Sequence, residues 1–310
     1  MIGAAIDIGT NSILLLVAEK GTGMQLRVLE EAERITRLGR NMERTGVLEA
    51  SAIRETAEAV QELVEMAKRR GAERVLLAAT SAARDALNGQ ELVWHVERTT
   101  GLTLRILSGI EEAEGTFLGV ASDPALAQQV LRVVDSGGGS TEIIRGRAAR
   151  IVALTSITVG HVRLSERFLS SDPPSDAQVA RLVEYVRTEV RNAGVTRKEP
   201  AEVLVGVGGT VTTLAAVDLR LPGYDAQRID GHVLSVERVQ ALRRKLQALP
   251  LAARARVAGL HPRRAPVIVA GAAVFEAIMA ELGFAELRVT TRGLRHGLLL
   301  SEMSQGRRAE

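Results

Sequence analysis

The feature that most constrains the fold is a pattern that the chain uses twice. It consists of an apolar strand, a turn with the spacing Asp-x-Gly-x-x-Ser, and a second apolar strand, at residues 4–17 and again at residues 133–144. Glycines leave no Cβ atoms in the way, so the backbone N–H groups of such a turn can converge on an anion. Repetition at equal spacing predicts two similar domains, each offering a phosphate loop and a carboxylate to one shared cleft.

Both turns carry a carboxylate at the end of their first strand. Asp7 in the first turn aligns with Asp135 in the second, and Ser12 aligns with Ser140. Asp135 is suited to hold a hard cation beside a bound oxyanion, usually through water. A further carboxylate, Glu142, follows closely. Either turn taken alone is equally consistent with an ordinary hairpin.

A third glycine segment, residues 206–210, follows an apolar strand and opens a helix. Helix N-termini bind anions through their open N–H groups and the helix dipole. The glycine spacing does not meet the dinucleotide-binding fingerprint. Close packing of helix on strand is the alternative explanation, but beside the two aspartate turns we predict phosphate binding.

Composition narrows the class of protein. The 310 residues, 46% of them hydrophobic, suit two globular domains. Cysteine is absent, which excludes disulfides, a thiol nucleophile and a zinc–thiolate site. The chain starts directly in a strand, and its apolar stretches fall short of the ~20 residues of a membrane span. We therefore expect a cytoplasmic protein without a membrane partner.

The basic residues are mostly arginine: 4 lysines leave 36 arginines among the 40 basic residues. A GC-rich or heat-adapted genome is one explanation. An arginine-lined groove that attracts a polyanion is the other. Nucleic acid is disfavoured as a partner, because aromatic residues make up only 2% of the chain and base stacking needs them.

The order of strands and helices predicts an α/β fold. We place a first domain at residues 1–120 and a second at residues 121–296. A final helix, at about residues 297–310, is expected to pack back on the first domain, with a frayed tail from Gln305. Ser51 and Ser175 are predicted to cap the helices that follow them, and residues 292–297 are predicted to form a turn.

Two further segments carry candidate catalytic groups. Glu111 and Glu112 follow the Ser108-Gly109 break, where acids also serve as ordinary helix N-terminal residues. Arg84 is a loop arginine that could face the cleft or form a surface salt bridge. The five histidines show no metal-binding spacing, so we assign them to structural or surface positions.

These motifs, in this order, resemble the exopolyphosphatase and guanosine pentaphosphate phosphatase (Ppx/GppA) family in its short form. The resemblance implies two ribonuclease-H-like domains of the actin-like ATPase superfold with a cleft between them. One departure is His296, where the family often has glutamate. The segments that carry the resemblance are residues 5–12, 37–39, 79–88, 108–113, 135–142, 206–210 and 292–297.

The resemblance also implies roles for individual residues. Glu112 matches the general base, whereas Asp135 and Glu142 match acids that order Mg²⁺ and the attacking water, with Asp7 as a third metal-site carboxylate. Mg²⁺ or another divalent cation is expected, and a monovalent cation is a further candidate. The substrate-binding positions are Asp7, Thr10, Asn11, Ser12, Arg84, Gly137, Gly138, Gly139, Ser140, Thr141, Gly208, Gly209, Thr210 and Arg264.

The leading hypothesis for function is hydrolysis of the terminal phosphate of inorganic polyphosphate, an acid anhydride. The alternatives are removal of the 5′-phosphate of guanosine pentaphosphate, both activities together, a kinase on the same superfold, and a sensor without turnover. The presence of Glu112, Asp135 and Glu142 argues against a sensor. A homodimer is left open.

Overall fold

The computed structural model describes residues 1–305. It divides the chain into two compact units, the first formed by residues 1–128 with the C-terminal segment from Arg292, and the second by Gln129–Thr291. The sequence placed these boundaries after residues 120 and 296. Within the described residues, no helix is long and apolar enough to cross a bilayer.

The first unit is built on a five-stranded sheet in the order β3-β2-β1-β4-β5. Its first three strands are antiparallel neighbours, whereas β4 and β5 continue the sheet in parallel. The elements are β1 (Ile2–Ile8), β2 (Ile13–Lys20), β3 (Leu26–Arg34), α1 (Met42–Thr45), α2 (Ala50–Arg69), β4 (Arg74–Ala79), α3 (Ser81–Asp85), α4 (Gly89–Thr100), β5 (Leu104–Ile106) and α5 (Gly109–Ala121).

The second unit has a six-stranded sheet in the order β10-β11-β9-β6-β7-β8. The elements are β6 (Val130–Ser136), β7 (Thr141–Arg147), β8 (Arg150–Ile157), α6 (His161–Phe168), α7 (Asp176–Asn192), β9 (Glu202–Val207), α8 (Gly209–Asp218), α9 (Ala226–Ile229), β10 (Val233–Ser235), α10 (Val236–Gln247), α11 (Leu251–Arg254), α12 (Ile268–Leu282) and β11 (Glu286–Val289). The chain then returns to the first unit as α13 (Leu294–Gln305).

The two sheets share one plan. In each, a meander of three antiparallel strands is extended by a parallel strand next to the first strand of the unit: β4 beside β1, and β9 beside β6. Because the first strand is central, its side chains must be apolar toward both faces. In β1, Ile6 packs with α2 and α4 on one face, whereas Ala5 packs with Leu299 of α13 on the other.

Two local predictions were wrong. Ser51 does not cap α2, which begins at Ala50 after Glu49. Residues 292–297 were predicted as a turn, but residues 294–297 form the start of α13. The reason is a close helix crossing: a Cβ atom on Gly297 would overlap the Gly115 carbonyl of α5, so this glycine allows contact rather than a turn. The rest of the predicted tail, residues 306–310, lies outside the described residues.

Candidate active site

The two aspartate turns have the same backbone hydrogen bond. Gly9 N donates to Ser12 O at 3.0 Å in the first turn, and Gly137 N donates to Ser140 O at 3.0 Å in the second. Each turn directly joins the first two strands of its sheet. The spacing Asp-x-Gly-x-x-Ser therefore produces one local structure in both units.

A loop segment covers the first turn. Arg37 N donates to Asn11 O at 2.9 Å, and Gly39 N donates to Thr10 O at 2.8 Å. A trans peptide directs its N–H opposite to its C=O. The N–H groups of Asn11 and Ser12 therefore point away from this segment. Asn11 is 4% exposed, and its Nδ2 makes no hydrogen bond within the described residues.

The start of α6 covers the second turn in a similar way. His161 N donates to Gly137 O at 3.0 Å, and Val162 N donates to Gly138 O at 3.0 Å. Gly160 packs so closely that a Cβ atom there would overlap the Gly138–Gly139 peptide. By the same peptide geometry, the N–H groups of Gly138 and Gly139 point away from α6 and can receive an anion.

The carboxylates differ between the turns. Asp7 lies opposite the apolar Leu14 in the β1–β2 ladder, whereas Asp135 lies opposite Glu142 in the β6–β7 ladder. Directly opposed residues in antiparallel strands point to the same face of the sheet. Glu142 is 2% exposed, and its Oε1 accepts a hydrogen bond from Ser156 Oγ at 2.8 Å. The second turn therefore has two acidic groups side by side.

The third glycine loop adjoins Asp135. Gly208 has a φ of 92°, and a Cβ atom there would lie 3.1 Å from Asp135 Oδ1. A Cβ atom on Gly209 would overlap the guanidinium group of Arg264, which is buried. Since α8 begins at Gly209, this loop brings a helix N-terminus, a buried arginine and Asp135 together.

The hydroxyl groups of the predicted site have different surroundings. Ser140 is buried at the end of the second turn. Thr141 is completely buried, and its Oγ1 donates to the Val159 carbonyl oxygen and lies 3.2 Å from Ser136 Oγ, from which it can accept a hydrogen bond. Thr210 is buried in the first turn of α8. In this conformation the Thr141 hydroxyl holds the turn against the segment before α6.

In the first unit, the structure distinguishes Glu111 from Glu112. Glu111 forms a capping box with Ser108: Ser108 N donates to Glu111 Oε2 at 2.9 Å, and Ser108 Oγ accepts from Glu111 N at 3.2 Å. These bonds with Ser108, and then Arg105, lower the pKa of Glu111. Glu111 is therefore occupied with starting the helix.

Glu112 faces Arg84 instead. Arg84 Nη1 donates to Glu112 Oε2 at 2.8 Å and to the Leu107 carbonyl oxygen at 3.0 Å. The side chain of Glu112 is 12% exposed and that of Arg84 is 24% exposed. The two residues that the sequence selected separately thus form one partly buried ion pair.

His161 was assigned from the sequence to a structural or surface position, and the structure places its side chain in the interior of the second unit. The residue is 4% exposed, and its Nδ1 lies 3.4 Å from Thr210 Oγ1. Burial, and then the positive charge of Arg264, lower the pKa of His161 from 6.5 to about 3. Only the glycine that precedes it in the sequence could have drawn attention to this position.

No group of three or more histidine, cysteine, aspartate or glutamate side chains in residues 1–305 is arranged to hold a metal ion. Of the predicted metal-site acids, Asp7 belongs to the first unit, whereas Asp135 and Glu142 belong to the second. Their shared role stays a prediction. What the structure assembles is an acid–arginine pair in the first unit and a glycine-lined acidic site with Arg264 in the second.

Two sheets of this order, each with a glycine turn after its first strand, define an actin-like α/β fold. The profile of the Ppx/GppA phosphatase family matches residues 16–306, and the chain belongs to this family. The predicted family and fold class are confirmed.

Named relatives cover nearly the whole chain. Exopolyphosphatase 2 of Mycobacterium tuberculosis is 38% identical over 313 residues, which cover 96% of this chain and 97% of the relative. Exopolyphosphatase 1 of Mycobacterium leprae is 28% identical over 300 residues, covering 96% and 88%. The crystal structure of an Aquifex aeolicus Ppx/GppA member is 34% identical, with a TM-score of 0.82 and coverage of 99% and 98%.

Proposed function

We propose that this protein is an exopolyphosphatase, which hydrolyses the terminal phosphate of inorganic polyphosphate. The observation that carries the proposal is the second turn, whose glycine loop follows Asp135 and has Glu142 opposite it. The third glycine loop lies beside it, with Gly208 close to Asp135 and Gly209 against the buried Arg264. This is chemistry for binding a phosphoryl group together with a cation. The exopolyphosphatase names of full-length relatives support the same substrate.

Glu112 is the proposed general base on the attacking water. The oxygen of a general base that accepts the proton must lie in a defined position. The ion pair with Arg84 would fix the carboxylate of Glu112 in this way. Glu111 is a weaker candidate because its carboxylate is bonded to Ser108. Arg84 is the proposed first-unit arginine for substrate, since a guanidinium group can bind a phosphate as well as a carboxylate.

Asp135 and Glu142 would hold Mg²⁺. The fit rests on their chemistry and register: Mg²⁺ prefers oxygen ligands and commonly uses one or two carboxylates with the phosphates of its substrate. When bound, it would offset charge on the phosphoryl oxygens. Asp7 stays a proposed third metal-site acid, and no residue is assigned to a monovalent cation.

The remaining predicted residues are proposed to bind the phosphate chain. The support is the direction of the N–H groups in both turns, at Asn11 and Ser12 and at Gly138 and Gly139. Gly208, Gly209 and Thr210 would add the N-terminus of α8, and Arg264 a buried positive charge. Such fixed donors can bind the phosphate oxygens of the substrate without reorganising. Thr10, Gly137, Ser140 and Thr141 complete the turns that present these donors.

Guanosine pentaphosphate is the less favoured substrate, because the named relatives are exopolyphosphatases. We also propose that the protein acts in the cytoplasm without a nucleic-acid or membrane partner. The low aromatic content supports the proposed lack of a nucleic-acid partner, since binding of single-stranded nucleic acid relies on stacking of bases on aromatic side chains.

The test is phosphate release from polyphosphates of defined length, beside guanosine pentaphosphate, with and without Mg²⁺. We expect Mg²⁺-dependent release from polyphosphate that is lost in Glu112→Gln and kept in Glu114→Gln, a matched change on the exposed side of the same helix. Release from guanosine pentaphosphate alone would replace the proposed substrate. Transfer of phosphate from ATP to a sugar would indicate a kinase, and binding without turnover would indicate a sensor.

A further inference from the structure

His161 contacts two of the three glycine loops. Its backbone N–H donates to the Gly137 carbonyl at 3.0 Å, and its ring Nδ1 lies 3.4 Å from Thr210 Oγ1. The carbonyl groups of Ser136 and Gly137 also face the imidazole. A single residue therefore lies between the second turn and the loop that begins α8.

The surroundings of the ring are fixed on both sides. Gly160 lies directly against the Gly138–Gly139 peptide, so the backbone before His161 cannot move toward the turn. Thr210 is held by α12, because a Cβ atom on Gly271 would come within 2.6 Å of its Oγ1 and Cγ2. The imidazole thus occupies a defined gap between two loops.

An uncharged imidazole is compatible with the surroundings of His161. Burial and the nearby Arg264 keep the imidazole neutral. A neutral ring keeps one nitrogen as a hydrogen-bond acceptor, so Nδ1 can accept from the Thr210 hydroxyl. An imidazolium ion would instead repel Arg264, whose guanidinium group lies against Gly209. The Nε2 atom of His161 makes no hydrogen bond of normal geometry within the described residues.

We propose that His161 is a positioning residue, whose buried ring sets the distance between the second turn and the loop at Gly208–Thr210 so that both loops and Arg264 bind one phosphate. Nothing in the motif pattern of the sequence assigns this role. The inference deepens the proposed function and rests on it for the identity of the substrate.

The effect should fall on substrate binding. The two loops contribute fixed donors that contact phosphate in the ground state and the transition state alike, and loss of such contacts raises KM with kcat kept. For His161→Leu we expect KM for tripolyphosphate to rise about tenfold, the size of one lost hydrogen bond, with kcat within about threefold of wild type. His161→Asn, whose amide can occupy the Nδ1 position, should recover most of the loss.

Two measurements separate positioning from general loss of stability. Val186→Ala, in the core of the same unit on α7, should lower Tm and leave KM unchanged. Hydrogen exchange should rise in peptides that cover residues 134–141 and 206–211 in His161→Leu, more than in Val186→Ala. An unchanged KM in His161→Leu, equal KM values for the Leu and Asn variants, or the same KM rise in Val186→Ala would overturn the proposal.

Failure of the proposed function would be visible separately. If the wild-type protein releases no phosphate from polyphosphate, the exopolyphosphatase proposal fails, while the exchange comparison still decides the role of His161. Equal exchange of both loops in wild type and His161→Leu would then overturn the inference.

Discussion

The first and second aspartate turns are alike in backbone and different in chemistry. Both have the same glycine-to-serine hydrogen bond, and both have their carbonyl groups bonded by N–H donors of a later segment. The first turn is covered by the loop at residues 37–39 and has Leu14 opposite Asp7. The second is covered by α6 and has Glu142 opposite Asp135.

One backbone turn thus carries different side chains in the two units. The backbone supplies N–H groups in both units, whereas the residue opposite the aspartate decides whether one or two carboxylates are present. Under the proposed function, the acid pair beside Arg264 in the second unit binds phosphate and cation, and Glu112 in the first unit acts on water. Substitutions in each unit can test this division of roles.

Glu112→Gln should nearly abolish turnover and keep substrate binding. Removing a general base typically costs about 10²–10⁴-fold in rate. Steady-state phosphate release and equilibrium binding of tripolyphosphate would measure the two effects, with Glu114→Gln as the control. Normal turnover by Glu112→Gln would contradict the proposed role of Glu112 as the general base.

Gly160→Ala should disturb the second turn more than Gly39→Ala disturbs the first. At Gly160 the new methyl group meets backbone of Gly138 and Gly139, whereas at Gly39 the nearest atom is the methyl group of Thr10. Overpacking typically costs about 1–3 kcal/mol, and backbone cannot yield as a side chain can. Denaturant unfolding would compare the two variants, with Gly223→Ala as control because its surroundings are open. Equal losses in the free energy of unfolding would show that the segments covering the two turns tolerate a methyl group equally.

Asp135→Asn should raise the Mg²⁺ concentration needed for half-maximal activity more than Asp7→Asn does. Loss of partners around a metal ion typically costs about 10–100-fold in affinity. Asp135 lies opposite Glu142, so its substitution removes one of two carboxylates that are proposed to hold Mg²⁺. Mg²⁺ titrations of activity would measure both shifts. An unchanged midpoint in Asp135→Asn would contradict its role, and a larger shift in Asp7→Asn would reverse the comparison.

Stability should fall on acidification in a way that depends on His161. Because its pKa is about 3 in the folded protein and 6.5 is its ordinary value, only the unfolded chain binds this proton as the pH falls below 6.5. The contribution of His161 to the free energy of unfolding is complete above pH 6.5 and declines by about 1.4 kcal/mol per pH unit toward pH 3. Urea unfolding between pH 7 and pH 4 should show a shallower decline in His161→Asn than in wild type. Parallel curves for the two proteins would contradict the prediction.

The local structure of the site could be predicted from the sequence. Equal spacing predicted that Asp7 and Asp135 end equivalent strands, and the shared hydrogen bonds of Gly9 and Gly137 agree with that expectation. Ser175 was correctly predicted as the cap of α7, because a capping box acts over one turn of helix. Gly297 misled the prediction, since a glycine in a turn and a glycine at a helix crossing look the same in sequence.

The sequence by itself determined what depends on neighbours along the chain: the strand–turn–strand repeats, most helix positions and the family. Only the tertiary structure decided that Glu111 serves its helix while Glu112 faces Arg84, and that His161 and Arg264 lie beside loops far away in sequence. The physical reason is range. Turn and cap preferences act over a few residues, whereas contacts between distant segments follow from how complete sheets and helices pack.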